Sequence, residues 1–448
     1  MTKKKKAMYG SMALAAVIAL TSCGGQSDKG GAPTTGASEA GASQTTVPEL
    51  AITEPVTVKL YSHYAAINNE NDLQALFSTV REKHPNIKIE LIKGITLTDM
   101  IAAGEVPDLV ATTHFYMNGL LQLGVAGDLN EFVKTYKVDL AQFEPQAINA
   151  VKSYGKKGEL YGIPYTLNYG VLLYNKDIFN KFGVPYPKDG MTWEQAIDLG
   201  KRVTRMDSGT QFIGLDLGTD RTLARGYSLG TVDSQGKAAF DSDGYKKTLT
   251  LMKNVYDIPG MIGDNKKYTY GVDYLIKDQK LAMFPSWLAA ITSRLKAVEE
   301  AGQAFDWDVA GHPVFADKPG IGREIEFQSL MVPPTAKNKE AAYRVILTMI
   351  GEQSQSVMNK DRNLTILNKS EMKNQFSSNT DIFKGKNLAG VFSVKPAEAP
   401  IASDYDNENY KYLREATENM IFNGVDINSA LRTANEKANK YIDEVKAR

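Results

Sequence analysis

The chain of 448 residues holds a single cysteine, Cys23, and only four histidines. One thiol allows no disulfide framework, and the scattered histidines show no metal-ligand spacing. Charge of one sign is also missing: 52 Lys and Arg balance 52 Asp and Glu, for a formal net charge of zero. Such a surface lacks the basic footprint of a nucleic-acid-binding protein. Beyond Leu20 no apolar run approaches the roughly 20 residues that a membrane-crossing helix needs. H-E-x-x-H, Walker A and G-x-G-x-x-G motifs are absent. Gly226-Tyr227-Ser228-Leu229-Gly230 does fit G-x-S-x-G, but a nucleophile elbow needs a buried strand before it and a helix after it. Here Asp220–Arg225 precedes with mixed polarity, a turn-like Thr231–Gly236 follows, and His312 is the only histidine downstream. Asp241-Ser242-Asp243-Gly244 opens like a calcium loop, yet Met252 stands where its last carboxylate belongs. That segment reads as a helix cap. Nothing in these patterns asks for catalysis, a metal or a cofactor.

What is present begins at the N-terminus. Lys3, Lys4, Lys5 and Lys6 precede an apolar run from Ala7 to Leu20, too short for a permanent membrane helix. A basic segment followed by a short apolar one reads as a secretory signal, residues 1–22, to be set aside from the fold. Leu20-Thr21-Ser22-Cys23, followed by Gly24 and Gly25, resembles the lipobox of bacterial lipoproteins. The resemblance implies a diacylated Cys23 as the first residue of the mature chain, and two acyl chains make a stable membrane anchor. Without the leader lysines, 48 basic residues face 52 acidic ones, a balance near −4 that suits an exported soluble domain. From Gly24 to about Glu49 the chain is Gly, Ala, Ser, Thr and Pro with hardly a large apolar residue. It cannot bury enough surface to offset its ordering entropy, so residues 23–50 are expected to form a tether spanning roughly 30 Å.

About 400 residues remain, more than one core usually serves, so two domains are expected. Val56–Tyr61 reads as a strand, and Leu73, Leu76, Phe77 and Val80 share one helical face. Ile87, Ile89 and Leu91 alternate as a second strand. A short helix at Asp99–Ala103 leads to a brief buried strand at Asp108–Ala111. This order is the grammar of an α/β layer on a mostly parallel sheet, in which ligands bind beyond the carboxyl ends of the strands. Further on, Thr192 and Gln195 form a capping box. Tyr245, Leu249, Met252 and Tyr256 mark a helix; Phe305, Trp307 and Val309 alternate as a strand. A helix carries Ala342, Val345, Ile346, Met349 and Ile350, and the chain from about Asn409 is helical in composition.

Gly158–Tyr165 and Gly170–Asp177 resemble the family 1 extracellular solute-binding proteins, the receptors of ATP-driven sugar importers. The likeness continues through Phe182–Pro185, Thr192–Ala196, Met283–Trp287, Val332–Pro334 and Lys337–Ala342. It implies a two-lobed α/β fold of the periplasmic-binding-protein type, closing on a ligand like a hinge. Carried over, residues 51–165 and 334–385 form the first lobe, and 166–333 and 386–448 the second. The implied partners are a small-molecule ligand, a mono- or oligosaccharide, and the permease of an importer, with the receptor a monomer on the outer face of the membrane.

Sugar sites set flat aromatic faces against the C–H face of the ring and polar groups against its hydroxyls. Trp287 follows a strand and matches the position of a stacking tryptophan in the family. Trp193, in a first helical turn, and Trp307, within a strand, read as structural. Asn168 stands where the maltose receptor carries a ligand-binding carboxylate, and Tyr165 lies beside it. The loop after Asp108–Ala111 offers Thr112, His114 and Tyr116; the end of the first strand offers His63 and Tyr64; the return crossing offers Gln328. Two other readings stay open: a surface protein that senses without transport, and a lipid-anchored glycosidase, which needs two carboxylates across the cleft.

Overall fold

A computed structural model of the protein describes residues 52–63 and 67–447. The signal segment, Cys23, the tether and Tyr64 lie outside the described residues.

The chain enters through β1 (Val56–His63) and returns through β2 (Ile87–Leu91) and β3 (Leu109–Thr113), both parallel to β1. Val58 and Leu60, with no exposure at all, are the inward face that the alternation of β1 predicts. The first helical stretch divides in two, Glu70–Leu76 and Ser78–Lys83, with Phe77 buried between them. β4 (Ile163–Asn168) follows several short helices and runs almost directly into β5 (Gly170–Asn175), which belongs to a different sheet. Tyr169 alone separates the two strands.

The second sheet grows around β5. Asn175 caps the helix Lys176–Phe182 with its side chain, and Gly183, at φ 61°, ends that helix in the left-handed conformation glycine tolerates. The capping box stands as the sequence predicts: Gln195 N–H donates to Thr192 Oγ1, and Thr192 N–H donates to Gln195 Oε1. β6 (Arg205–Asp207), β7 (Thr210–Leu215), β8 (Leu281–Trp287) and β9 (Trp307–Gly311) then complete the order β6-β7-β8-β5-β9. Trp193 and Trp307 are buried in this core. β10 (Ile321–Glu324) leaves it, and β11 (Glu326–Met331) crosses back to lie between β3 and β4, giving the order β2-β1-β3-β11-β4. A short β12 (Lys395–Ala397) pairs with β10. Helix Lys339–Ile350 packs on the first sheet. Helices Asp406–Asn423 and Ile427–Lys446 pack on each other and on Asp243–Tyr256.

Both sheets are mixed, not mostly parallel. In the first, β11 is antiparallel to β3 and to β4; in the second, β5 is antiparallel to β8 and to β9. The reason is connectivity. A segment crossing from one sheet to the other arrives at the carboxyl ends of the strands it joins, and so must run against them. The sheets change over at Tyr169 and Ile325. Residues 166–168 and 326–331, given to the second lobe by the family likeness, are therefore strands of the first sheet.

Candidate functional cleft

The crossings bring the two working edges together. Across the lip of the first sheet, His63 pairs with Thr112, Gln328 with both Thr113 and Thr166, and Glu326 with Asn168. Across the second, Trp287 at the end of β8 pairs with Gly170 at the start of β5, and Gly311 at the end of β9 pairs with Val171. The carboxyl ends of β1, β3, β4, β8 and β9 thus meet at Asn168–Gly170, the place where α/β sheets bind ligands.

Asn168 holds this junction. Its Nδ2 donates to Glu326 Oε2 at 2.7 Å, and its Oδ1 accepts from the Ala289 N–H at 2.9 Å. The amide therefore ties the first sheet to the start of the helix Leu288–Glu300. Trp287 is half-buried immediately before that helix. Gln328 and Ala289 line a cavity of about 470 Å³, which also takes in Asp72, Arg362 and Asn363. Tyr165 is fully buried and reaches this cavity only through Gln328, whose Oε1 accepts from its hydroxyl at 2.7 Å. It is a core residue that positions Gln328, not the cleft-facing ring the sequence suggests.

Thr112 is also fully buried, its hydroxyl turned onto the Thr113 carbonyl. His114 is buried and stacks on Phe327 at 4.7 Å with 20° between planes. Burial, reinforced by the charges of Arg225, Arg221 and Arg323, holds the His114 imidazole well below its usual range, so it is neutral. His63 sits edge-on to Tyr116 at 5.5 Å, and the Tyr116 ring is 42 % exposed. Burial lowers His63 as well.

Sequence reasoning read the cleft as aromatic and amide; it missed the charges. Helix Asp220–Gly226 points Arg221 and Arg225 at Phe115, their guanidinium carbons 5.6 and 5.1 Å from its ring centroid. Arg221 also lies 4.7 Å from the Tyr410 ring. Arg225 Nε donates to Glu324 Oε1 at 2.7 Å, in an ion pair whose two side chains are 8 % and 2 % exposed. Arg323 lays its guanidinium 3.6 Å from the centre of the Trp287 ring. A Cβ on Gly170 would sit 2.3 Å from Arg323 Cγ, so only glycine there lets the arginine stem pass. The only sequence signals were the one-turn spacing of Arg221 and Arg225 and the charged run Arg323-Glu324-Ile325-Glu326 at the crossing.

The G-x-S-x-G motif has no elbow geometry: Ser228 has φ 66°, but a helix, not a strand, leads into it. Among the described residues no group of three or more His, Cys, Asp or Glu is arranged to hold a metal ion.

The profile of the bacterial extracellular solute-binding proteins matches residues 66–356. The chain belongs to that family. Within it, the arabinooligosaccharide-binding protein of Bacillus subtilis is 26 % identical over 184 residues, which is 40 % of this chain and 39 % of that relative. Its chain path also follows solved structures of two-lobed binding proteins. An ABC substrate-binding protein from Listeria monocytogenes, solved in complex with cycloalternan, superposes with a TM-score of 0.68 at 19 % identity, covering 87 % of this chain and all of that one. The sugar-binding protein MalE from Xanthomonas citri gives 0.67 at 16 % identity, over 87 % of this chain and 98 % of that one.

Proposed function

We propose that this solute-binding protein is the carbohydrate receptor of an ATP-driven importer, tethered outside the membrane through an acylated Cys23. The observation that carries the reading is the placement of Trp287. A half-buried indole ends a strand at the meeting edges of both sheets, paired with Gly170, while Asn168 and Gln328 set amide groups on the facing edge of the first sheet. An indole face beside amides is what a pyranose or furanose ring needs, with its C–H face on the aromatic and its hydroxyls on polar groups. The arabinooligosaccharide-binding relative favours an oligosaccharide over a single sugar. Membership in the solute-binding family supports a binder over a glycosidase. The ligand set we propose is Trp287, Asn168, Gln328, His63, Tyr64 and Tyr116, with the buried His114, Tyr165 and Thr112 behind them.

A thermal-shift screen of the domain against arabino-, malto-, manno- and galacto-oligosaccharides tests the reading. A ligand at a thousandfold excess over its dissociation constant stabilises by about 4 kcal/mol, and Trp287→Ala is expected to weaken the effective sugar tenfold or more. A sugar whose effect survives Trp287→Ala would place the site elsewhere. The anchor has its own test. Cys23→Ala is expected to release the protein from the membrane fraction, and a variant that fractionates like the wild type contradicts acylation.

A further inference from the structure

Arg323 is the most unusual residue of the cleft. It is only 9 % exposed, and its Nε is buried with no hydrogen-bond partner. No carboxylate of the described residues makes an ion pair with it. Glu324 is its neighbour on β10 but points to the opposite face, as alternation along a strand demands, and binds Arg225. Glu326 binds Asn168. Burial drives the Arg323 guanidinium down to about 10, against the pull of those two carboxylates. Burial likewise raises Glu326, with Asn168 and Arg323 opposing the rise.

A buried cation without an anionic partner is expensive. The face of Trp287 compensates part of that cost as a cation–π contact and leaves the fork of donors unused. Arg225 is neutralised by Glu324, whereas Arg221, over the Phe115 and Tyr410 rings, makes no ion pair among the described residues. A guanidinium fork is planar and matches a carboxylate with two parallel hydrogen bonds.

We propose that the saccharide bound here is acidic, and that a uronate-type carboxylate pairs with Arg323 at the edge of the Trp287 face. The proposal rests on the reading of the cleft as a carbohydrate site. It accounts for a glycine at 170, which leaves room for the arginine stem, and for a cation placed where a neutral sugar alone would leave it uncompensated.

Calorimetry on the wild-type protein with three matched series tests it: oligogalacturonates, sulfated galacto-oligosaccharides and neutral galacto-oligosaccharides. We expect the oligogalacturonates to bind and their neutral counterparts to bind at least about tenfold more weakly, as the loss of a charged hydrogen-bonded pair implies. Arg323→Gln should weaken the acidic series by about tenfold to a hundredfold and so abolish the preference for the acidic over the neutral series. The same variant should raise the melting temperature of the ligand-free protein, because an unpaired buried charge is gone; a purely structural arginine would lower it. Stronger binding of the sulfated series would overturn the carboxylate assignment. Preference for the neutral series, or indifference to Arg323→Gln, would overturn the acidic ligand and leave the carbohydrate reading standing. Failure of all three series here and of the neutral screen would overturn both. The comparison of series on the wild type does not depend on how the variant folds.

Discussion

At the scale of single residues, the cleft is built from groups whose ordinary preferences are overridden. Charged side chains default to the surface, yet Arg225, Glu324, Arg323 and Asp220 are all nearly or completely buried. That is why composition and motif spacing could not find them: burial of a charge is decided by what packs around it. Asp220 shows the consequence. Its Oδ1 accepts from the Arg221 N–H, while its Oδ2 is buried without a partner. Burial raises its carboxyl to about 6, with Glu418 adding to the rise and Arg414 opposing it. The unfolded value is near 3.9, so between roughly pH 4 and 6 the folded protein keeps a proton that the unfolded chain has lost. Stability should therefore fall as pH rises through that window and stay lower above it, by about 3 kcal/mol from this group. Asp220→Asn should remove that slope and be the more stable protein at neutral pH, as read from denaturant unfolding at several pH values. Equal pH slopes in the two proteins would contradict the assignment.

At the scale of elements, much was legible because local and tertiary preferences agree. The alternation in Val56–Tyr61, the capping box of Thr192 and Gln195, and the apolar face through Val345, Ile346 and Met349 each specify an element that the core then uses. At Asp241–Gly244 the helix does start, with Ser242 at the N-cap position before Asp243, but the Ser242 side chain makes no capping hydrogen bond. Strand direction was not legible. Residues 163–168 and 326–331 look like any buried apolar strand, and nothing local says that the second runs against β3. Only the crossing between sheets imposes that. Trp287, which the sequence sets after a strand, is instead the last residue of β8.

At the scale of the whole binding domain, two sheets share one junction of two strand crossings, at Tyr169 and Ile325, and few hydrogen bonds bridge the far edge of the cleft. Asn118 and Gln122, from the first sheet's side, both donate to Asp404 at 2.8 Å, and these bonds are exposed. Opening around Asn168–Gly170 would break these two exposed bonds and the packing of Arg221 and Arg225 on Phe115, where an ordinary hydrogen bond contributes about 0.5–1.5 kcal/mol. A ligand touching both edges then shifts the population toward the closed form by its differential affinity for it. The stiff part is the hinge itself, where Asn168 binds Glu326 and the start of the helix after Trp287. The central claim is that this protein captures a saccharide by closing two lobes on it. Small-angle scattering of the domain, with and without a saturating oligosaccharide chosen from the binding screen, tests it most directly. The account predicts a smaller radius of gyration with the sugar bound, and an unchanged radius with a sugar that does not bind. Tight binding with no compaction would contradict it.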